Sequence, residues 1–248
     1  MPGRFLGGLG VLDLGRGDRR SREALDRLRR DSPGAFGVRV DAHCALGPAD
    51  LTPDGPHTVV LTAQAARDAQ SPWHISTLTD RHRILVEVAD LADARDALRA
   101  GAHGLIARGA ECGGRIGELS TYVLLQQLLA APEVSVPVWA CGGIGPRTAA
   151  AAVAGGAAGV VLDSQLALLA ESALPEPAAA VLRTLDGSET VVLAGHRVLL
   201  RRGPDAPRLA PDATAETVAS MLGAQDPRTQ LLPVGQDGFL AARFAERW

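Results

Sequence analysis

Short runs of apolar, often β-branched residues alternate along the chain with amphipathic stretches of helical period. Short apolar runs are typical of strands buried on both faces of a parallel sheet, with helices between them. Seven runs predict strands: Gly10–Leu14, Gly37–Val40, Thr58–Thr62, Ile84–Val88, Gly104–Ala107, Val136–Ala140 and Gly159–Leu162. The stretches between them predict helices, among them Arg22–Arg30, Leu91–Ala100, Leu119–Ala130 and Arg147–Ala154.

The spacing of these strands selects a type of α/β fold. Successive strands begin about 20 to 33 residues apart, the usual length of one βα repeat in a barrel. A TIM-type βα barrel is therefore favoured over a Rossmann sheet. Because a closed barrel of this type needs eight strands and only seven are predicted, we expect an incomplete barrel that is open, is closed by the hairpin or another subunit, or is part of a longer chain.

The pattern changes after about Glu171. A further helix is predicted at Ala178–Leu185, and a hairpin is predicted from Thr190–Leu193 and Arg197–Arg201. A linker rich in proline and arginine follows at Arg202–Pro211, and two short helices are predicted at Thr214–Leu222 and Gly238–Arg247. We expect a barrel domain over residues 1–187 and a small C-terminal hairpin-plus-helix appendage over residues 188–248, too short for an independent core.

Composition narrows the classes of function. With 46% hydrophobic and 21% charged residues the chain is an ordinary globular sequence, and a net charge of -3 with 3% aromatic residues argues against nucleic-acid binding. All 25 basic residues are arginine, which excludes Schiff-base chemistry and a P-loop lysine. The three cysteines indicate neither a disulfide framework nor a metal site, and neither an export signal nor a membrane span is predicted. We expect a soluble, cytoplasmic protein, with a homodimer left open, that binds small molecules or other proteins.

Glycines mark the ends of the strands that would face the barrel rim, where the active sites of such folds lie. These ends carry Gly109, Gly113 and Gly114, then Gly142 and Gly143, then Asp163 and Ser164. A Gly-Gly pair before a helix N-terminus favours anion binding. Because the last two strands of a βα barrel commonly form a phosphate site together, the turns at Gly142-Gly143 and near Ser164 are expected to converge on one anion.

These segments resemble the nitronate monooxygenase and flavin-dependent enoyl reductase superfamily, which has an E-x-G-G-H-x-G loop, an A-x-G-G-I turn and a G-V-x-x-G-T strand end in this order. The likeness covers roughly residues 8–172, and it implies that the family's first strand, which would precede Gly10–Leu14, is missing from the barrel. A closer likeness is to the nitronate-monooxygenase-like domain of type I polyketide synthases. It is carried by Gly7-Gly-Leu-Gly-Val-Leu-Asp-Leu-Gly15, Gly113-Gly-Arg-Ile-Gly-Glu-Leu-Ser, Gly159-Val-Val-Leu-Asp-Ser-Gln-Leu-Ala-Leu and Leu232-Pro-Val-Gly-Gln-Asp237.

The resemblance implies a cofactor and partners. FMN would be bound, its phosphate held by Gly142, Gly143 and the residues around Ser164, with NAD(P)H as reductant. An acyl thioester would be the substrate, and other polyketide synthase domains would be the partners. Two positions depart from the family: Arg115 aligns with the loop histidine, and Asp163 stands where the FMN enzymes have glycine beside the phosphate.

These departures shape the candidate chemistry. A guanidinium stays protonated and cannot act as a general base, so classical nitronate oxidation is not expected, although Arg115 could still bind an anionic oxygen or simply pair with Glu118 on the surface. The catalytic candidates are Arg115, Glu118 and His43, the last as a replacement base. Two hypotheses follow: an FMN-dependent oxidoreductase domain of a type I polyketide synthase, or a catalytically degenerate barrel that acts as its structural or docking module.

Overall fold

The computed structural model describes residues 8–31, 36–51, 58–78, 80–172, 174–199, 207–210, 212–226 and 228–247. The chain divides into two compact units. Unit 1 comprises Met1–Val88, Ala92–Leu105 and Glu133–Val136, and unit 2 comprises Ala89–Leu91, Ile106–Pro132 and Pro137–Trp248. Strands and helices occur in both.

Unit 1 is built from four parallel strands. They are β1 (Val11–Asp13), β2 (Gly37–Val40), β3 (Thr58–Thr62) and β4 (Arg83–Val88), each paired in parallel with the next. The helices are α1 (Arg19–Asp31), α2 (Ala63–Arg67) and α3 (Leu91–Ala100). Nearly every residue of β3 and β4 is buried, which is the pattern of a parallel sheet covered on both faces.

Strand β5 (Gly104–Arg108) carries the chain into unit 2, which has a second set of βα elements. These are β6 (Gly114–Arg115), α4 (Thr121–Ala130), β7 (Val138–Cys141), α5 (Pro146–Ala154), β8 (Gly159–Val161) and α6 (Glu176–Leu182). Strands β7 and β8 pair in parallel. The strand order β1-β2-β3-β4-β5-β7-β8 gives one seven-stranded sheet, so the predicted α/β fold and all seven predicted strands are confirmed.

The C-terminal part of unit 2 contains the predicted hairpin, formed by β9 (Thr190–Leu193) and β10 (His196–Leu199), followed by α7 (Ala215–Met221) and α8 (Ala241–Ala245). The hairpin belongs to a three-stranded antiparallel sheet in the order β6-β10-β9. Strand β6 lies inside the glycine loop and was not predicted, because two residues carry no readable periodicity. The domain boundary after residue 187 stays a prediction, and of the predicted linker Arg202–Pro211 only Pro207–Ala210 lies within the described residues.

Two helix-to-strand joints explain how α3 and α5 end. Gly101 follows α3 with φ +100°, and Gly156 follows α5 with φ +105°. Ala102 N and Ala157 N each donate to a carbonyl five residues earlier, Ala97 and Ala152 respectively, and so satisfy carbonyls of the last helical turn. Gly101 and Gly156 therefore lie in the C-cap turns of α3 and α5. Among the described residues, no helix has the length and apolar character needed to cross a membrane.

Replacement of Gly156 by alanine tests this joint. The left-handed φ of Gly156 disfavours a side chain, and a Cβ there would lie 3.0 Å from Leu129 Cδ1, so Gly156→Ala is expected to cost about 1–2 kcal/mol of the free energy of unfolding. Urea titration would measure it. Gly10→Ala is the matched control, because a Cβ at Gly10 meets nothing within 4 Å. Equal stability of the two variants would contradict the prediction.

Candidate functional site

The turn after β7 depends on two glycines. Gly142 has φ +102° and Gly143 has φ +66°. A Cβ on Gly142 would lie 2.7 Å from Cys112 Sγ and 2.9 Å from Thr121 Oγ1. Glycine is therefore required here both by backbone conformation and by the close approach of the neighbouring loop.

Glu111 ties the glycine loop to this turn through the start of α4. Its Oε2 accepts hydrogen bonds from Thr121 N at 2.9 Å and Thr121 Oγ1 at 3.0 Å. Thr121 Oγ1 also lies 2.9 Å from the carbonyl oxygens of both Cys141 and Gly142. A negative side chain at the first turn of α4 is favoured by the helix dipole, so Glu111 has a structural role in positioning both segments.

The anion that the turn holds is the carboxylate of Asp237. Ile144 N donates to Asp237 Oδ2 across 3.3 Å, and the Gly143 amide also hydrogen-bonds this carboxylate. The side-chain amide of Gln165, the residue after Ser164, donates to the same oxygen across 2.7 Å. Asp237 is only 4% exposed. The two turns thus converge on one anion, and the chain itself supplies it.

The residues Leu232–Asp237, named here the Asp237 segment, lie against both turns. Gly235 N donates to Ser164 Oγ across 3.0 Å, and Gln236 N donates to Glu111 O across 2.8 Å. A Cβ on Gly113 would lie 2.8 Å from Pro233 O, so this glycine admits the backbone of the Asp237 segment. The close approach that the sequence predicted for a ligand is made here by the protein chain.

Burial raises the pKa of Asp237 to about 6. This pKa is a net result: the negative charge of Asp163 also raises it, whereas the hydrogen bonds from Ile144 and Gly143 lower it because they stabilise the charged form. Burial therefore outweighs the hydrogen bonds, and the carboxyl group titrates closer to neutral pH than an exposed aspartate.

Asp163 borders this site with its side chain 53% exposed and its Oδ2 4.0 Å from Arg108 NH2. Arg108 itself is buried and donates to the Gly113 carbonyl. Asp163 occupies the N-cap position before Ser164–Leu166, but its side chain makes no capping hydrogen bond. Three carboxylates, those of Asp237, Asp163 and Glu111, thus lie around the Gly142-Gly143 turn, and the Arg108 guanidinium lies near Asp163.

The catalytic candidates of the glycine loop lie on the surface of unit 2. Arg115 is exposed in β6, where it stands opposite His196 of β10, and Glu118 is also exposed. Burial lowers the pKa of His196, and the positive charge of Arg115 lowers it further. Gly114 before them adopts φ +75°. The catalytic roles of Arg115 and Glu118 stay predictions.

His43 lies in unit 1, after β2, where its backbone N donates to Asp41 Oδ1 at 2.7 Å. The proposed replacement base therefore belongs to a different unit from the glycine turns. Unit 1 also contains the buried Glu87, whose carboxylate receives two hydrogen bonds from Arg39 at 2.8 and 2.9 Å. A buried carboxylate in a core strand requires such a partner.

The remaining predicted glycine and the two rim cysteines have structural surroundings. A Cβ on Gly109 would lie 2.1 Å from Thr121 Oγ1, so this position requires glycine for packing. Cys112 and Cys141 are buried free thiols in contact with each other. Their mutual hydrogen bond and burial raise the pKa of Cys141, which disfavours a reactive thiolate.

The sequence pattern assigned no role to Gln165 or to Asp237, although Asp237 ends one of the quoted motifs. The only sequence feature that could have indicated Asp237 was the polar Gly-Gln-Asp run, which lies beside apolar residues and far along the chain from the strand ends. Nothing local indicates which turn such a carboxylate will meet.

Comparisons with known proteins support the fold. A family model described as "Nitronate monooxygenase" matches residues 53–194, more than half of the chain. The structure of FabK from Thermotoga maritima is 26% identical with a TM-score of 0.69, covering 95% of this chain and 80% of that chain. Nitroalkane oxidase from Streptomyces ansochromogenes has a TM-score of 0.69 at 24% identity, covers 97% of this chain and 87% of that chain, and shows the fold alone.

A curated relative from Rhodococcus jostii (strain RHA1) is "(3aS,4S,5R,7aS)-5-hydroxy-7a-methyl-1-oxo-octahydro-1H-indene-4-carboxyl-CoA dehydrogenase". It is 30% identical over 179 residues, which make up 68% of this chain and 48% of the relative. The chain therefore spans about half the length of this curated relative.

The raised pKa of Asp237 predicts a specific pH dependence of stability. Between the ordinary value of 3.8 and about 6 the folded protein keeps a proton that the unfolded chain has lost, so this group makes stability fall as pH rises through that window, by about 3 kcal/mol in total. Asp237→Asn, which cannot titrate, should lack this fall. Urea unfolding at pH values from 4 to 7 would measure it.

The exposed Asp212 provides the control. Asp212→Asn should follow the wild-type pH curve. Parallel curves for wild type and Asp237→Asn would disprove the buried titration.

Proposed function

The chain belongs to the nitronate monooxygenase family, and we propose that it is a member without flavin turnover that serves as a structural or docking module of a type I polyketide synthase. The observation that carries this proposal is the Asp237 carboxylate held by the Gly142-Gly143 turn. Family resemblance supplies the fold and the expected cofactor, whereas the residues present decide whether that cofactor fits.

An FMN phosphate does not fit beside Asp237. The amide donors of Gly143, Ile144 and Gln165, which a phosphate would need, already bind the carboxylate. Asp163 adds a second negative charge next to the turn. Two unit charges of the same sign 4 Å apart repel each other by about 1 to 4 kcal/mol near a protein surface, so a phosphate dianion would oppose both carboxylates.

The position of Arg115 also supports a non-catalytic role. The resemblance aligns it with the family's loop histidine, and arginine cannot act as a general base. Its side chain is exposed in β6, although the paired strand β10 is mostly buried, so Arg115 is accessible to another protein. This exposed sheet strand belongs to the segment that resembles polyketide synthase domains.

The assignment to a polyketide synthase rests on the four sequence runs quoted above. One of them, Leu232-Pro-Val-Gly-Gln-Asp237, is the segment that lies against the glycine turns. The glycine and the aspartate of this motif both contact the residues of the two turns.

A second candidate function is an FMN-dependent oxidoreductase that reduces or oxidises acyl thioesters with NAD(P)H. One support is that the two turns keep their hydrogen-bond donors directed at a single anion. The other is the similarity to the carboxyl-CoA dehydrogenase. In this function the Asp237 segment would have to leave the turn, and Arg115 would bind an anionic oxygen of the substrate.

Flavin binding separates the two candidates. We expect the purified chain to be colourless and FMN to leave its thermal unfolding midpoint unchanged, because the phosphate donors are occupied. A ligand at 100 times its Kd would stabilise the fold by about 2.7 kcal/mol, well within the range of a thermal scan. Riboflavin, which lacks the phosphate, is the matched control. A stoichiometric flavin band that NADPH bleaches would refute the non-catalytic proposal.

Arg115→Ala tests the oxidoreductase candidate. If the chain reduces acyl thioesters, the variant should retain bound flavin and lose at least tenfold in kcat, because the guanidinium would act on the substrate and not on the cofactor. Steady-state NADPH oxidation and the flavin spectrum are the measurements. Arg243→Ala, at another exposed arginine, is the control. An unchanged kcat in Arg115→Ala would show that this side chain does not act on the substrate.

A further inference from the structure

The donors around Asp237 form a set that suits any acceptor-only anion. Gly143 N and Ile144 N come from the turn before α5, and Gln165 Nε2 comes from the turn after β8. Carboxylate and phosphate oxygens both accept hydrogen bonds without donating. Gln165 is oriented independently of Asp237, because its Nε2 also donates to Ile144 O at 2.7 Å and its Oε1 accepts from Asp163 N at 2.8 Å.

The carboxylate and its donors come from separate parts of the chain. Asp237 lies 93 residues after Ile144 and 72 residues after Gln165. The turn geometry is set by Gly142 and Gly143 with positive φ, and by the helix that begins at Pro146, none of which depends on residue 237. Removal of the Asp237 side chain would therefore leave the donor set in place.

We propose that Asp237 is an internal ligand that occupies a latent phosphate-monoester site made of the Gly143 and Ile144 amides and the Gln165 side chain. This inference rests on the proposed function in one respect: the wild-type chain keeps the site closed. The carboxylate then competes with phosphate for the same donors, and its loss opens the site.

The surrounding charges limit the affinity of the opened site. Asp163 and Glu111 remain close to the turn, and Arg108 is the nearby cation. Part of the Glu111 charge is offset by hydrogen bonds from Thr121 at the start of α4. Asp163 is more exposed, and its Oδ2 lies 4.0 Å from Arg108 NH2, so removal of this negative charge should strengthen phosphate binding in a chain that already lacks Asp237.

Phosphate binding to Asp237→Ala tests the inference. Titration with inorganic phosphate, followed by phosphorus NMR line broadening, should give at least tenfold tighter binding than in wild type. The double variant with Asp163→Gly should bind tighter still. FMN and riboflavin form the second arm: binding of FMN without riboflavin identifies the phosphate monoester as the recognised group, and equal binding of both would contradict the proposal.

Two variants make the result specific. Asp237→Asn keeps the volume of the side chain in the site and should not gain phosphate binding. Gln165→Ala added to Asp237→Ala removes one donor and should weaken the gained binding. A folded Asp237→Ala chain that binds phosphate no better than wild type would overturn the proposal.

Asp237→Ser provides a smaller polar replacement should the alanine variant unfold. Unfolding of both variants, even in phosphate, would also contradict the proposal, because Asp237 would then be part of the core and not a ligand. If the wild-type protein contains flavin and Asp237→Ala still binds phosphate more tightly than wild type, only the proposed function is refuted. If Asp237→Ala binds phosphate no more tightly than wild type, the inference is refuted.

Discussion

Burial of the Asp237 carboxylate against the Gly142-Gly143 turn is the interaction on which the arrangement of this site depends. A charged group that is 4% exposed needs hydrogen-bond donors, and here two backbone amides and the Gln165 side chain provide them. The same contact holds the Asp237 segment over the glycine loop, where Gly113 leaves room for its backbone. The Asp237 carboxylate therefore determines both the charge at the turn and the position of the Asp237 segment on the glycine loop.

This contact changes what family membership implies. Glycine turns at the ends of neighbouring strands give a βα fold its capacity to bind anions. In this chain the hydrogen-bond donors of the turn are present, and they bind the carboxylate of Asp237. Fold similarity thus supports the architecture alone. Whether the turn can bind a cofactor phosphate depends on whether its hydrogen-bond donors are already bound to Asp237.

Some features of the site were accessible from the sequence for local reasons. The seven strands follow from apolar runs, and the C-caps at Gly101 and Gly156 follow from glycine at the end of a helical pattern. The convergence of the turns near Gly143 and Ser164 followed from the order of strands in a parallel sheet. In contrast, the pairing of β6 with β10 joins a loop to a hairpin some 80 residues later, and a two-residue strand leaves no periodic pattern.

The sequence by itself determined the βα architecture and the presence of an anion-binding turn, because both depend on the spacing and residue types of short segments. Only the tertiary structure decided which anion the turn holds. Ile144 and Asp237 are 93 residues apart, and their contact exists only once packing brings the C-terminal run onto the strand ends. A buried charge is selected by its three-dimensional surroundings, so no local pattern could have identified Asp237 as the ligand.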